Sequence, residues 1–236
     1  LTDYSNAKDC FPSNSIGGGV CYFLRDKTYV GDCSFTNVTG QEVTTAKRPL
    51  NEFPVVVRYN EAASVLHKVN AKNDDKFSEI VSPLMPFGLP SNYRGVQHKD
   101  ASHPIALYSS KDITFISETE ITRTNDYLGK YKVFVSKVSA EHAGEPDKEG
   151  KYGVLTSSMK VAGPGAACTH SYFVVGANSD KTIVENIEKY LTTKFVRFLL
   201  QLATSSINIS KNTFVFVPMQ DFSHPWTDER LYKKYS

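Results

Sequence analysis

The sequence is short of the residues and patterns that announce most kinds of chemistry. No apolar run approaches the ~20 residues needed to cross a bilayer, so a membrane protein of the helical kind is not expected. There is no Walker-type loop, no strand–GxGxxG–helix unit and no HExxH, which removes the usual signatures of nucleotide binding and zinc-dependent hydrolysis. The four cysteines (Cys10, Cys21, Cys33, Cys168) contain no CxxC pair, so a zinc site would need scattered ligands. They are also too few for a disulfide scaffold of this length, which points to reduced thiols and a cytoplasmic setting. The opening "LTDYSNAKDCF" lacks an initiator Met and the order of a signal peptide, and it reads as a piece of something longer.

What is present suits a soluble globular chain: 236 residues with 40% hydrophobic and 22% charged side chains. The net charge of +2 hides an asymmetry. Residues 1 to 120 carry 12 Lys and Arg against 14 Asp and Glu, whereas residues 121 to 236 carry 15 against 11. Residues 150 to 179 and 189 to 220 contain bases and no acid at all. Such local excess fits a polyanionic partner, although a solvated face explains charge alone equally well.

Along the chain, residues 20 to 24 and the alternation at Cys33, Phe35 and Asn37 predict a β-hairpin. "FPVVVRY" (53 to 59) reads as a further strand, and Ala62, Val65, Leu66 and Val69 as a helix capped by Asn60. "DDKFSEIV" suggests a shorter helix ended by Pro83 and Pro86. Between residues 105 and 176 the segments "IALYSS", "DITFIS", "YKVFVSKV", "YGVLTSSMKV" and "CTHSYFVVG" form a β-rich block. On such a strand Cys168 and His170, two apart, would face one way. Apolar positions from Ile183 to Leu202 recur at helical spacing, as one long amphipathic helix or two broken near Thr192 and Thr193. "TFVFVPMQDF" then reads as a strand halted by Pro218, and Thr227 as the cap of a last helix.

The glycines Gly17 to Gly19 in "FPSNSIGGGVCYFL" invite a phosphate-cradle reading, but a cradle needs its turn to lead into a helix. Here the turn leads into a strand. A tight bend is the better account.

"DCFPSNSIGGGVCYFLRDK", "KYKVFVSKVSAEHAG", "GPGAACTHSYFVVG" and "YLTTKFVRFLLQLATSSINISKNTFVFVPMQDFSHPWTDERLYKKY" together resemble the C-terminal part of adenine-specific DNA methyltransferases of restriction-modification systems, the Eco57I-like group. The resemblance implies an α+β fold: a remnant of the catalytic domain over residues 1–45, then a β-rich target recognition domain over 46–236 with a long amphipathic helix. The end of that domain is similar to recognition domains of type I specificity subunits. It also implies double-stranded DNA as partner. The NPPY-type tetrapeptide and the S-adenosylmethionine loop of the family are missing, so this piece is expected to hold no cofactor and to be inactive alone. S-adenosylmethionine would be held by the catalytic domain of the parent enzyme. Two other classes stay open: a segment of a fused endonuclease–methyltransferase, and a protein-interaction domain with no DNA role. The orphaned N-terminal strand, Val20 to Leu24, is expected to pair with residues 34 to 38 or with a second copy of the chain.

The resemblance carries no list of base contacts, so candidates come from the physics of reading a duplex. Phosphates need Lys or Arg; base edges need Asn, Gln, Arg, Ser or Thr. Turn residues beside the basic stretches supply Ser91, Asn92, Tyr93 and Arg94; Ser136 and Lys137; Ser157, Ser158 and Lys160; Thr169 and His170; Lys211 and Asn212. Lys137, Lys160 and Lys211 are the phosphate candidates.

Overall fold

The computed structural model describes residues 1–14, 16–123, 126–138, 149, 153–155, 159–204 and 208–236. Among these the fold is α+β, with ten strands in three sheets and four α-helices. The last half of the chain sets the frame. Strands β7 (Tyr131–Ser136), β8 (Met159–Ala162) and β10 (Tyr172–Asn178) form one antiparallel sheet with β7 in the middle. The runs "YKVFV" and "YFVV" are apolar without alternation because both faces of this sheet are covered. Val133, Val135, Phe173 and Val175 pack into a core shared with the helices, while Phe134, Tyr172 and Val174 pack into a second core on the opposite face. That second core is closed by a smaller sheet of β5 (Ile105–Tyr108), β6 (Ile113–Ile116) and β9 (Ala166–Cys168), in which β5 pairs antiparallel to β6 and parallel to β9.

The amphipathic stretch is two helices, α2 (Lys181–Thr192) and α3 (Lys194–Ala203). Thr193 breaks it: its backbone is extended and its hydroxyl accepts from Val196 N at 3.3 Å, capping α3. Asp228, in the first turn of α4 (Asp228–Tyr235), accepts from the backbone of Lys194 and Phe195 at 3.1 and 2.8 Å, so it stabilises two helix N-termini at once. Thr227 caps α4, as its sequence position predicts.

Several expected elements take other forms. Residues 53–59 are irregular, with Phe53 and Val57 buried and Arg58 reaching outward to the N-terminal sheet. Helix α1 (Ala62–Asn70) begins after Glu61; Asn60 instead donates to the carbonyls of Phe35 and Thr44 and accepts from Arg48 Nε. Residues 74–81 hold only a 3-10 turn, Phe77–Ile80. "TFVFVP" opens in another, Lys211–Phe214, and joins no sheet, making an isolated bridge between Lys76 and Pro218 and accepting from Phe77 N at Val217 O. Its Phe214, Phe216 and Val217 are buried all the same. A short apolar run reports burial and leaves the backbone undetermined.

The N-terminal sheet departs most from expectation. Its order is β2 (Val20–Tyr22), β1 (Thr2–Tyr4), β3 (Cys33–Thr39), β4 (Glu42–Arg48). The strand after the glycines pairs with Thr2–Tyr4 and does not touch β3 in the ladder; β3 hairpins with β4 instead. The residue-45 boundary falls inside β4. The glycine turn is a bend, not a cradle: Gly18 and Gly19 have φ of 91° and 75°, and a Cβ on Gly19 would lie 2.2 Å from the Tyr4 carbonyl oxygen. Arg58 fills the space an anion would need, donating to Gly18 O at 2.7 Å.

Candidate nucleic-acid interface

Strand register places the loops of the two C-terminal sheets at a common rim. Ser136 at the end of β7 faces Tyr172 at the start of β10, and Val135 faces Met159 at the start of β8. Tyr108 at the end of β5 faces Cys168 at the end of β9, and the turn 169–171 joins the two sheets there. Residues far apart in sequence are fastened to this rim by backbone bonds. Lys137 N donates to Ser171 O at 3.1 Å, Ile209 N donates to Lys137 O at 2.8 Å, and His170 N donates to Leu89 O at 2.8 Å. The segments carrying Ser91 and Asn92, Ser136 and Lys137, His170, and Lys211 and Asn212 are thereby gathered from four places in the chain. Lys160, on β8, joins them: its ammonium lies 5.8 Å from the ring centroids of both Tyr108 and Tyr172. Two aromatic faces hold an exposed cation at the rim, where it is available to an anion.

The candidates differ in what their side chains have left to give. Lys160, Lys211, Asn92 and Asn212 are exposed, and Ser91, Ser136, Lys137 and His170 are partly so. Thr169 is fully buried and its hydroxyl accepts from Ser171 N at 3.4 Å, so it shapes the turn and reads no base. His170 lies in that same turn and not on a strand with Cys168, whose buried thiol is pushed up in pKa by desolvation and donates to Tyr172 O. Cys168 and His170 therefore make no thiol–base pair. Tyr93 is turned inward: its hydroxyl donates to Glu120, whose other oxygen accepts from Ser117 N at 2.6 Å. That hydrogen bond raises the Tyr93 pKa and lowers that of Glu120. Arg94 folds back on its own loop, donating to Ser91 O at 3.0 Å and Tyr93 O at 2.6 Å. Ser157 and Ser158 lie outside the described residues.

Two cations at the rim escaped sequence reasoning. Lys111 sits exposed at the tip of the β5–β6 hairpin, beside an Asp112 engaged by the Ser109 hydroxyl at 2.9 Å. Arg123 comes close enough to His170 to depress that ring's pKa. Nothing in "ITRTND" marks Arg123, whose Nη1 donates to the carbonyls of Leu84 and Met85, residues far back in the chain.

Among the described residues no three His, Cys, Asp or Glu side chains are placed to hold a metal ion, and no helix is long and apolar enough to cross a membrane. Comparison with protein-family models, curated proteins and solved structures found no match to this chain.

Proposed function

We propose that the chain is the DNA target recognition region of an adenine-specific DNA methyltransferase of a restriction-modification system, acting in the cytoplasm beside a catalytic domain that binds S-adenosylmethionine. The observation that carries this reading is the rim. Lys111, Lys137, Lys160 and Lys211 come from four separate segments and converge on one edge of a doubly packed sheet, with amide and hydroxyl side chains of Asn92, Asn212 and Ser91 among them. Cations fix a protein's register on phosphates, and amides and hydroxyls can reach base edges between them. The resemblance of the long motifs suggests the enzyme class, and the two-layer β block flanked by helices is compatible with the proposed similarity to recognition domains of type I specificity subunits. The catalytic partner would extrude the adenine and supply the methyl donor. This chain's own residues would position the duplex.

The test is duplex binding by fluorescence anisotropy across about 50 to 300 mM salt. Affinity should fall steeply with salt. K137A, K160A and K211A should each weaken binding to all duplexes alike and flatten the log–log salt slope by about one. Absence of duplex binding, or an unchanged slope in all three variants, would overturn the reading.

A further inference from the structure

We propose that the outer edge of β2 pairs with the same edge of a second copy of the chain, antiparallel and in a two-fold register centred on Cys21. The inference does not rest on the DNA-recognition reading, because the rim candidates all lie outside the N-terminal sheet.

Backbone bonds fix which groups the edge offers. Leu1 O accepts from Thr36 N at 2.9 Å and Ser5 N donates to Val38 O at 3.2 Å, both between the β1 and β3 segments. Successive residues of a strand turn their peptide groups to opposite sides, so Leu1, Asp3 and Ser5 face β3 while Thr2 and Tyr4 face β2. On β2 the residues opposite Thr2 and Tyr4 are Tyr22 and Val20, whose peptide groups are thereby used, and the residue opposite Asp3 is Cys21. The N–H and C=O of Cys21 therefore point off the sheet. Among the described residues β2 is the last strand on that side, and no strand takes them up.

Free edges are ordinarily blunted by charge, proline or a bulge. Val20 to Leu24 contains no charge and no proline, and its ladder with β1 runs without a register shift. The apolar surface continues past the strand: Tyr22, Phe23, Leu24, Tyr29 and Val30 are each at least 60% exposed. The three aromatic side chains alone carry about 300–450 Å² of uncovered surface, about half of the ~800 Å² that each partner buries in a stable interface. Leu24 and Val30, 95% and 96% exposed, enlarge it further.

A second copy matches this edge residue for residue. With Cys21 on the two-fold axis, its N–H and C=O bond to the C=O and N–H of the other Cys21, as in the hydrogen-bonded pairs of an antiparallel ladder. Val20 then stands opposite Tyr22 twice, a β-branched side chain against an aromatic one, which stabilises cross-strand pairs. Phe23 stands opposite Gly19, which has no side chain to obstruct the ring. Sliding the axis to Tyr22 would call on peptide groups that β1 already uses, and sliding it to Phe23 would set Val20 against Asp26. The antiparallel arrangement also carries the arm with Leu24 and Val30 toward the end of the other copy's β2 where the exposed Ile16 precedes the glycine turn. Two four-stranded sheets join into one, and the interface is isologous.

The experiment uses the whole chain. Sedimentation equilibrium should show a monomer–dimer equilibrium with a dissociation constant of about 10 μM or below. Y22K should raise that constant about tenfold, since the axis places the new charge in both Val20–Tyr22 pairs. The register is read with thiols. C10S/C33S leaves Cys21 as the single accessible cysteine, because Cys168 is buried. Across the axis the Cα atoms of such a pair stand ~5.5 Å apart, within reach of a disulfide. Diamide, a two-electron oxidant that takes up both thiol protons as the S–S bond forms, should therefore link C10S/C33S into a covalent dimer. In C10S/C21S/C33S/L24C the thiols would stand about 20 Å apart, and diamide should leave the chains unlinked. A chain that is monomeric to about 100 μM overturns the proposal and leaves the edge to a different protein. A dimer that Y22K does not weaken, or one that links as readily through L24C as through Cys21, overturns the Cys21-centred pairing even though the chain self-associates.

Discussion

Arg58→Met is expected to cost about 3–5 kcal/mol, concentrated in the N-terminal sheet. Arg58 is the strut of that sheet. Its Nε and Nη2 donate to the two carboxylate oxygens of Asp3, each at 2.9 Å, and it also donates to Gly18 O and Tyr4 O at 2.7 and 3.1 Å. Asp3 sits in the middle of β1, only 7% exposed, between two ladder partners. Without the guanidinium the carboxylate keeps Asn37 Nδ2 at 3.3 Å as a weak donor. A buried charge stripped of its partner is the costly case, far beyond the worth of the pair itself. Hydrogen exchange should show the amides of β1 and β2 losing protection while those of β7 and β10 keep theirs. The double variant D3N/R58M should recover part of the loss, because the stranded charge is then gone. Unchanged exchange in β1 and β2 would show that the sheet does not depend on this pair.

The second large effect lies at Lys132, on the central strand β7. It is fully buried, and its ammonium donates to the carbonyls of Tyr127, Lys130 and Gly163 at 2.9, 2.9 and 3.1 Å. It thereby ties the turn before β7 to the end of β8 without any carboxylate. Lys132→Met keeps the volume and deletes three charge-assisted bonds, for an expected loss of about 3 kcal/mol at neutral pH in urea unfolding. Burial pushes the Lys132 pKa down from 10.5 to about 8. Between those two values the unfolded chain binds more protons than the folded one, so the stability contributed by Lys132 rises with pH across this window. Below pH 8 the full cost of burying the charge is present. The wild type should therefore gain on K132M by up to about 3 kcal/mol as pH climbs from 8 towards 10. A gap that stays flat over that range would show the amine is charged throughout.

Burial and periodicity made the second half of the chain legible in advance. The β5 and β6 segments carry alternation, α2 and α3 carry helical spacing, and Thr193 and Thr227 carry the chemistry of caps. The N-terminal sheet was not legible in the same way. A hairpin of neighbours is the default for two adjacent strands, and "LTDYS" is too short and polar to advertise itself as the strand that comes between them. What places it there is a charge 55 residues away, Arg58 on Asp3, and no local pattern records that. The candidate interface shows the same division. Residue types suitable for a duplex could be picked from turns, but a turn residue such as Thr169 is buried where two sheets meet, and Tyr93 is drawn inward by Glu120.

The sequence by itself determined the residue classes, the apolar segments that must be buried and the starts of α3 and α4, because these depend on propensities and side-chain chemistry within a few residues. Tertiary structure alone decided that "YKVFV" is covered on both faces, that the glycine turn receives Arg58, and that Lys137 is bonded through its backbone to Ser171 and Ile209. Those outcomes rest on backbone hydrogen bonds and charges between segments tens of residues apart, whose pairing is chosen by the whole fold at once.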